Sequence, residues 1–254
     1  MCIRDRTHST YPLDLIEVII ADDGSSDSPE TLIPLFEKHF PVRHVFQEDL
    51  GYRLSEVRNL GVREANHDQI IILDCDMLPE PTLVESYMQY MHVGTKAVLI
   101  GGRRYVNTDE LSIESVLDDI EPVLSLPTQR VDTGRGPEGD EAPSEDWRYK
   151  FYADSNNAKD AKYAFRWLCG GNICFHRPLH DAIGGFDESF TAWGAEDQEY
   201  GYRMYAAGAW FIPVENAIGL HQEPPGGSNE TDRDAGHSIT REQLIEKCPA
   251  MYRK

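Results

Sequence analysis

Residues 69–76 read QIIILDCD, an apolar segment that runs directly into two carboxylates one residue apart. A nearly continuous apolar run of this length predicts a strand buried on both faces of a sheet. In open α/β sheets, ligands bind beyond the carboxyl ends of the strands. Asp74 and Asp76 therefore have the position and the oxygen atoms to hold a hard cation such as Mg²⁺ or Mn²⁺. Acidic pairs also occur in ordinary surface turns, so this motif alone does not decide the function.

A second acidic cluster follows another apolar segment. Leu15–Ala21 (LIEVIIA) predicts a buried strand, and it leads into Asp22-Asp23-Gly24-Ser25. The glycine allows a tight turn, and the carboxylates can accept hydrogen bonds from a uracil N–H or from ribose hydroxyls. The simpler interpretation is a capped turn before a helix. Both acidic clusters lie at strand ends, so they can face one crevice.

Strands and helices alternate along the first hundred residues. This alternation predicts βαβ units and an α/β fold, Rossmann-like, with a mostly parallel central sheet flanked by helices. The other strands are predicted at Val42–Gln47, Lys96–Gly102, Asn172–His176 and Trp210–Val214. Helices are predicted at residues 29–40, 55–66, 82–92, 178–183, 196–207 and 239–247. Residues 128–146 and 224–236 are predicted to be polar loops.

The composition excludes some classes of partner. The formal net charge of −20 argues against nucleic acid, because phosphate binding needs clustered Lys and Arg. An acidic protein that binds an anionic ligand needs a local cation, most simply a divalent metal held by carboxylates. No apolar run has the length of a membrane span. The five cysteines match no zinc pattern and predict reduced thiols in a cytoplasmic protein.

The second half of the chain carries a further acidic motif. Trp193-Gly194-Ala195-Glu196-Asp197 places an indole beside adjacent carboxylates at the predicted start of a helix. The indole offers a flat face to a sugar ring, and a carboxylate can act as general base toward a hydroxyl. A core Trp with two acids favoured by the helix dipole is the simpler interpretation. His221 follows the next predicted strand, and a neutral imidazole is a common metal ligand that favours Mn²⁺ over Mg²⁺.

Together, these motifs resemble the family-2 inverting glycosyltransferases of the GT-A fold. The cluster at Asp22 matches that family's early acidic motif, and Asp74-x-Asp76 matches its metal motif. The segment from Gly170-Gly171-Asn172 through Gly185-Phe186-Asp187 to Trp193–Asp197 is similar to the C-terminal region of galactosyltransferases and polypeptide N-acetylgalactosaminyltransferases. Several motifs in the right order are far more specific than any one of them.

The sequence is still more similar to the N-terminal hexosaminyltransferase domain of bacterial chondroitin and hyaluronan synthases. This resemblance covers about residues 15–254. Its motifs are Gly51-Tyr52-Arg53, Val57–Gly61, Ile72–Met77, Asp146-Trp147-Arg148, His221–Gly226, Asn229–Arg233 and Tyr252-Arg253-Lys254.

The resemblance implies a role for each candidate residue. Asp76 and His221 would hold Mn²⁺ or Mg²⁺, and Asp74 would contact the metal or the donor ribose. Asp197 would be the general base, and Glu196 would contact the acceptor or the donor sugar. The residues implied in nucleotide-sugar binding are Asp22, Asp23, Arg58 and Asp74. Those implied in contact with the acceptor or the sugar are Trp193, Gly171 and Asn172.

The same resemblance divides the chain into four parts. Residues 1–14 are expected to be a non-native or disordered lead, and residues 15–106 the nucleotide-sugar-binding half. Residues 107–165 would be an insertion with a helix and a long acidic loop, and residues 166–254 a C-terminal acceptor-side lobe with the catalytic residues. One departure is expected, because the family's first strand has no counterpart in this sequence.

The implied activity is metal-dependent, inverting transfer of GlcNAc or GalNAc from a UDP-sugar to a glucuronate-ended glycan during polysaccharide synthesis. A glucuronosyltransferase domain or partner protein would supply the alternating sugar. The expected location is the cytoplasm, with peripheral association at the inner face of the membrane as an option. Three alternatives stay open: galactosyl or other hexosyl transfer by the same fold, a truncated non-catalytic nucleotide- or glycan-binding module, and a metal-dependent hydrolase.

Overall fold

A computed structural model describes residues 8–111, 119–129, 146–222 and 233–252 of the chain. The predicted α/β fold is confirmed, because strands and helices alternate through the chain. The strands of the described residues are β1 Val18–Asp22, β2 Val42–Phe46, β3 Gln69–Leu73, β4 Met77–Pro79, β5 Ala97–Val106, β6 Asn172–His176 and β7 Trp210–Gln222. The α-helices of the same residues are α1 Leu54–Glu64, α2 Leu83–Met88, α3 Glu121–Leu124, α4 Arg148–Asp154, α5 Arg177–Ile183, α6 Glu196–Ala206 and α7 Arg233–Lys247.

These strands form two sheets. β1 and β2 pair in parallel with each other, and the remaining strands pair in the order β3-β6-β5-β7-β4. Within this larger sheet β5 and β7 are parallel, whereas β3–β6, β5–β6 and β4–β7 are antiparallel. The larger sheet is thus mixed, where the alternation of elements predicted mostly parallel pairing. The turn between β3 and β4 has only three residues, which is too short for a parallel crossover, and β6 from the second half enters between β3 and β5.

Two predicted helices are shorter than expected. Residues 29–40 form two 3₁₀ turns, Pro29–Thr31 and Ile33–Leu35. Pro34 has no N–H group and its ring clashes with the preceding turn of an α-helix, so it interrupts the predicted continuous helix. The helix predicted at residues 82–92 is reduced to α2 and a 3₁₀ turn, Met91–Val93.

Two strands are longer than predicted, and their pairing places residues of the candidate site. β5 extends to Val106 and β7 extends to Gln222. Gly101 pairs with Val214 and Arg103 pairs with Gly219, so residues 215–218 of β7 lie opposite one residue of β5. Beyond this bulge, Tyr105 pairs with His221.

Helix α7 begins inside the stretch that was predicted to be a loop at residues 224–236. Residues 224–232 of that loop and residues 130–145 of the loop at 128–146 lie outside the described residues. The motif residues Gly226, Asn229 and Lys254 also lie outside them. Among the described residues, no helix combines the length and apolar character needed to cross a bilayer.

One hydrophobic core joins the two halves of the chain. Ile70 and Val98 from the first half pack in the same cluster as Phe175 and Tyr200 from the second. Both halves therefore belong to one folding unit, and the boundaries at 106 and 165 stay a prediction. Residues 8–14 of the predicted lead are described, and the Thr10 amide donates to the Pro81 carbonyl at 2.9 Å.

Candidate active site

The turn between β3 and β4 brings Asp76 against His221. Met77 of β4 pairs with His221 of β7, and His221 Nε2 lies 3.0 Å from Asp76 Oδ2. The Gln222 amide donates to the Asp76 carbonyl at 2.9 Å and fixes the turn from the other side. The sequence predicted this pair as metal ligands, and the pairing of β4 with β7 is what brings them together.

The surroundings of Asp76 favour its charged form. Burial raises the pKa of this carboxyl, but the hydrogen bond and charge of His221, with the nearby Arg103, hold it below its ordinary value. The side chain as a whole is 48% exposed, yet Oδ1 is shielded from solvent and has no hydrogen-bond partner among the described residues.

This arrangement fits a divalent cation. A buried carboxylate oxygen without a donor beside an imidazole is a reasonable pair of protein ligands for Mn²⁺ or Mg²⁺. The described part of the chain contains no group of three or more His, Cys, Asp or Glu side chains placed to hold a metal. Further ligands would therefore have to be substrate oxygens and water, as is usual for Mg²⁺ bound with phosphates.

Arg58 of α1 joins the two acidic motifs of the site. Its Nη2 lies 2.8 Å from Asp74 Oδ1, its Nη1 lies 3.0 Å from Asp197 Oδ1, and Nη1 is also 4.0 Å from Glu196 Oε1. Burial lowers the pKa of Arg58, but the charges of Asp74, Asp197 and Glu196 outweigh this and raise it overall. One guanidinium therefore links the end of β3 to the start of α6, which are far apart in sequence.

The start of α6 presents Glu196 and Asp197 toward this arginine. Gly194 and Ala195 have left-handed backbone conformations, with φ of 98° and 68°, which turn the chain into the helix. The Gly170 amide donates to Asp197 Oδ2 at 2.7 Å. Burial and the neighbouring Asp197 raise the pKa of Glu196 to about 8, although Arg58 opposes them. The surroundings of Glu196 therefore favour its protonated form, whereas Asp197 accepts two hydrogen bonds, one from the Arg58 guanidinium and one from a backbone amide.

The glycines before β6 leave room for the acidic side chains. A Cβ at Gly170 would lie 2.3 Å from Asp197 Oδ1, and a Cβ at Gly171 would lie 2.5 Å from Asp74 Oδ2. The Gly171 carbonyl accepts from the Asp74 amide at 3.0 Å. A contact between Gly171 and a sugar stays a prediction, but the need for glycine here follows from the packing of Asp74.

The structure corrects the role predicted for Asn172. Its side chain is 1% exposed and makes three hydrogen bonds inside the protein. Oδ1 accepts from the Tyr87 hydroxyl at 2.7 Å, and Nδ2 donates to the Gly102 and Ala217 carbonyls at 2.9 Å each. A side chain with these contacts cannot reach a sugar, so Asn172 ties β6 to β5 and β7 instead.

The early acidic motif stabilises its own turn. Asp22 is buried, and its carboxylate accepts from the Ser25 amide at 2.8 Å and contacts His44 Nε2 at 3.0 Å. Burial raises the pKa of Asp22, but these hydrogen bonds lower it below the ordinary value. Asp23 accepts from Gln47 Nε2 at 2.6 Å and from the Arg53 amide at 3.0 Å. Nucleotide binding by these two residues stays a prediction, and neither hydrogen-bonds to the cluster around Arg58.

Trp193 lies half-buried against α7. The Thr240 hydroxyl donates to the Trp193 carbonyl at 3.2 Å, and the His237 ring is 6.4 Å from the indole. The contact of this indole with a sugar stays a prediction.

Two residues near the site were not given a role from the sequence. Tyr52 lies close enough to Glu196, Arg58 and two aspartates for their charges to act on it, and its pKa is raised by burial and by Glu196. Arg103 is close enough to Asp76 to affect its pKa. The only available signal was a pair of arginines inside the apolar strand AVLIGGRRYV.

The comparisons with known proteins agree with this fold. The sequence model of glycosyl transferase family 2 matches residues 2–158, and that of the N-terminal domain of galactosyltransferase matches residues 152–220. The chain belongs to glycosyl transferase family 2. Both models together cover the elements that carry the Asp74–Asp76 turn and the Glu196–Asp197 pair.

Two curated relatives align with nearly the whole chain. The chain is 42% identical to chondroitin synthase of Escherichia coli, over 94% of its own length and 35% of that protein. It is 36% identical to hyaluronan synthase of Pasteurella multocida, over 99% of its own length and 25% of that protein. The chain thus spans about a third or a quarter of the length of these relatives.

Solved structures confirm the GT-A fold. The crystal structure of GalNAc-T7 with UDP, GalNAc and Mn²⁺ superposes with a TM-score of 0.61, covering 93% of this chain and 42% of that one. The two sequences are only 15% identical, so this likeness concerns the fold.

Proposed function

We propose that this chain is a metal-dependent, inverting glycosyltransferase domain that moves GlcNAc or GalNAc from a UDP-sugar to a glucuronate-ended glycan. One observation carries the proposal: a single buried arginine, Arg58, bridges the Asp74–Asp76 turn and the Glu196–Asp197 pair. The carboxylates of the Asp74–Asp76 turn are suited to a metal ion that carries a diphosphate. The Glu196–Asp197 pair is suited to an acceptor hydroxyl. A single-displacement reaction needs both within one cleft.

In this proposal Asp197 is the general base. Its carboxylate is held by Arg58 and by the Gly170 amide, and it has lone pairs left to accept a hydrogen bond from an acceptor hydroxyl. Glu196 is buried and its raised pKa favours the protonated form, so we assign it to substrate binding rather than to proton abstraction. A protonated Glu196 can instead donate a hydrogen bond to a sugar oxygen, and its Oε2 has no partner among the described residues.

Asp76 and His221 would hold the divalent cation, with Asp74 beside them. When bound, the cation would neutralise the charge that develops on the departing UDP. The acceptor oxygen, deprotonated by Asp197, would attack the anomeric carbon from the face opposite to the leaving group and invert it. The cation identity, Mn²⁺ or Mg²⁺, is supported only by the ligand chemistry and by the Mn²⁺ in the GalNAc-T7 structure.

The choice of substrates is supported by the relatives. The relatives named chondroitin synthase and hyaluronan synthase each align with nearly the whole of this chain. The resemblance to their hexosaminyltransferase domain implies a hexosamine donor and a glucuronate-ended acceptor. Because the chain spans only part of those proteins, a glucuronosyltransferase domain or partner protein is included in the proposal. The proposed location is the cytoplasm, with peripheral association at the inner face of the membrane as an option, and it is supported by the sequence alone.

The decisive test separates chemistry from donor binding. Asp197→Asn should abolish transfer from UDP-GlcNAc or UDP-GalNAc to a glucuronate-ended oligosaccharide, while calorimetry with UDP and Mn²⁺ gives a nearly unchanged Kd. The matched control is Asp160→Asn, the same substitution at an exposed position, which should leave both the transfer rate and the Kd of UDP unchanged. Equal turnover by Asp197→Asn and the wild type would remove Asp197 from the role.

A second variant tests the metal site. Asp76→Ala should lose the Mn²⁺-dependent part of UDP binding, because it removes the carboxylate that faces His221. The measurement is calorimetric titration of UDP with Mn²⁺ and again with EDTA. An identical Mn²⁺ dependence in the variant would refute the ligand assignment.

Galactosyl transfer is the alternative that an observation favours. The match of residues 152–220 to the N-terminal domain of galactosyltransferase covers β6, α5 and α6. A donor panel that includes UDP-galactose, UDP-GlcNAc and UDP-GalNAc with the same acceptor distinguishes the two. Turnover with UDP-galactose alone would replace the hexosamine in the proposal.

A further inference from the structure

Arg103 lies behind the Asp76–His221 pair. It is two residues before Tyr105 on β5, so both side chains leave the same face of the sheet. Its Nη1 donates to the Tyr105 hydroxyl at 3.3 Å, and its guanidinium carbon is 5.9 Å from the centre of the Tyr105 ring. The Tyr105 ring is in turn 5.2 Å from the His221 ring. Contacts from Arg103 through Tyr105 to His221 therefore lead into the metal corner.

Arg58, Arg148 and Arg103 differ in how their charge is balanced. Arg58 contacts three carboxylates, and Arg148 makes a close ion pair with Asp146 through Nε and Nη2. Arg103 has no carboxylate within 4.0 Å among the described residues. Its Nε is shielded from solvent and has no hydrogen-bond partner in that part of the chain. Two carboxylates act on its charge from beyond that distance: Asp146, which is paired with Arg148, and Asp76 of the metal corner.

A shielded guanidinium nitrogen without a hydrogen-bond partner is costly for the fold. The group stays protonated in proteins, so it cannot relieve the cost by losing a proton. Its planar fork matches carboxylate and phosphate oxygens in a bidentate way. Arg58 is paired directly with its carboxylates, whereas Arg103, beside the metal corner, makes no ion pair within 4.0 Å in the described part of the chain and can offer its guanidinium to a ligand.

We propose that Arg103 binds an oxyanion of a bound substrate, either the diphosphate of the donor or the carboxylate of a uronate-ended acceptor. This inference rests on the proposed function, which brings both anions into the cleft. Tyr105 is then a positioning residue, because its hydroxyl and ring hold the guanidinium on the side that faces His221.

Three variants test the proposal with two ligands. The variants are Arg103→Gln, Arg103→Lys and the control Arg63→Gln, which removes an equal charge from an exposed position on α1. The first ligand is UDP with Mn²⁺. The second is a glucuronate-ended oligosaccharide, compared with the same oligosaccharide after reduction of its terminal carboxyl to an alcohol.

Loss of a hydrogen-bonded ion contact should raise the Kd of one ligand by about 10- to 100-fold in Arg103→Gln. If the diphosphate is the ligand, the Kd of UDP rises and the preference for glucuronate over its reduced form is kept. If the acceptor carboxylate is the ligand, the UDP affinity is kept and that preference disappears. Arg103→Lys should lose part of the affinity, because lysine keeps the charge without the planar fork.

Each outcome decides one question. Unchanged affinities for both ligands, in an Arg103→Gln protein that melts like the wild type, would overturn the proposal and leave the glycosyltransferase assignment intact. If Arg103→Gln does not fold, the same comparison is made with Arg103→Lys, and full wild-type affinities there would overturn it. A wild-type protein that binds neither UDP nor the oligosaccharide would instead refute the proposed function.

Discussion

Replacing Arg58 by Gln tests whether one arginine holds the two acidic motifs together. The substitution leaves Glu196 buried and removes the common partner of Asp74 and Asp197. Breaking a fully buried ion pair from one side costs about 3–5 kcal/mol. Here the Asp74 and Asp197 side chains are 37% and 24% exposed, so solvent recovers part of the loss. We therefore expect a decrease in unfolding free energy of about 2–3 kcal/mol, since partly solvated ion pairs contribute less.

The assay is thermal unfolding followed by circular dichroism. For a chain of this size, a loss of about 2–3 kcal/mol lowers Tm by roughly 4–12 °C. Arg58→Lys should give a smaller decrease, because one ammonium keeps the charge but cannot reach two carboxylates with separate nitrogens. Arg63→Gln, on the same helix and exposed, is the control and should melt like the wild type. A Tm of Arg58→Gln within the error of that control would refute the bridging role.

Two further predictions concern buried polar groups. The pKa of Glu196 is raised to about 8, so between the ordinary carboxyl pKa and pH 8 the folded protein holds a proton that the unfolded chain has lost. The stability that this proton contributes is lost as the pH rises toward 8. Glu196→Gln does not titrate, so its Tm relative to that of the wild type should increase between about pH 5 and pH 8; a constant difference would contradict the raised pKa. Asn172→Ala removes three hydrogen bonds in the core and leaves carbonyls of β5 and β7 without donors, which should cost about 2–4 kcal/mol and lower Tm by roughly 4–16 °C. A variant that melts normally but loses sugar binding would restore Asn172 to the role predicted from the sequence.

The sequence predicted the bounds of two strands better than their pairing or burial: β6 is buried throughout, but β3 lies at the edge of the sheet and is only partly buried. β3 and β6 have the predicted bounds, because uninterrupted apolar runs mark a strand whatever its neighbours are. The short β4 and the second part of β7 contain Pro, Gly or polar residues, and only pairing with other strands makes them extended. Antiparallel pairing of β6 with its neighbours depends on contacts distant in sequence, which no local pattern contains.

The candidate site was likewise predicted only in part from the sequence. Carboxylates at strand and helix ends could be identified as ligands because their residue type and position limit what they can do, and the fold joins Asp76 with His221 and Asp74 with Arg58. Asn172 was assigned wrongly, because a motif does not show which way a side chain points. Arg103 received no role, since an arginine in a strand more often faces solvent than a cleft.

The bulge at residues 215–218 makes the metal corner sensitive to chain length. Successive side chains of a strand point to opposite faces, so losing or gaining one residue there would turn His221 away from Asp76. Glu215 and Asn216 are exposed and can vary in identity with little effect on packing. Positions 215 and 216 should therefore accept substitutions among homologous chains, whereas Ala217 is buried and the segment should keep a fixed number of residues.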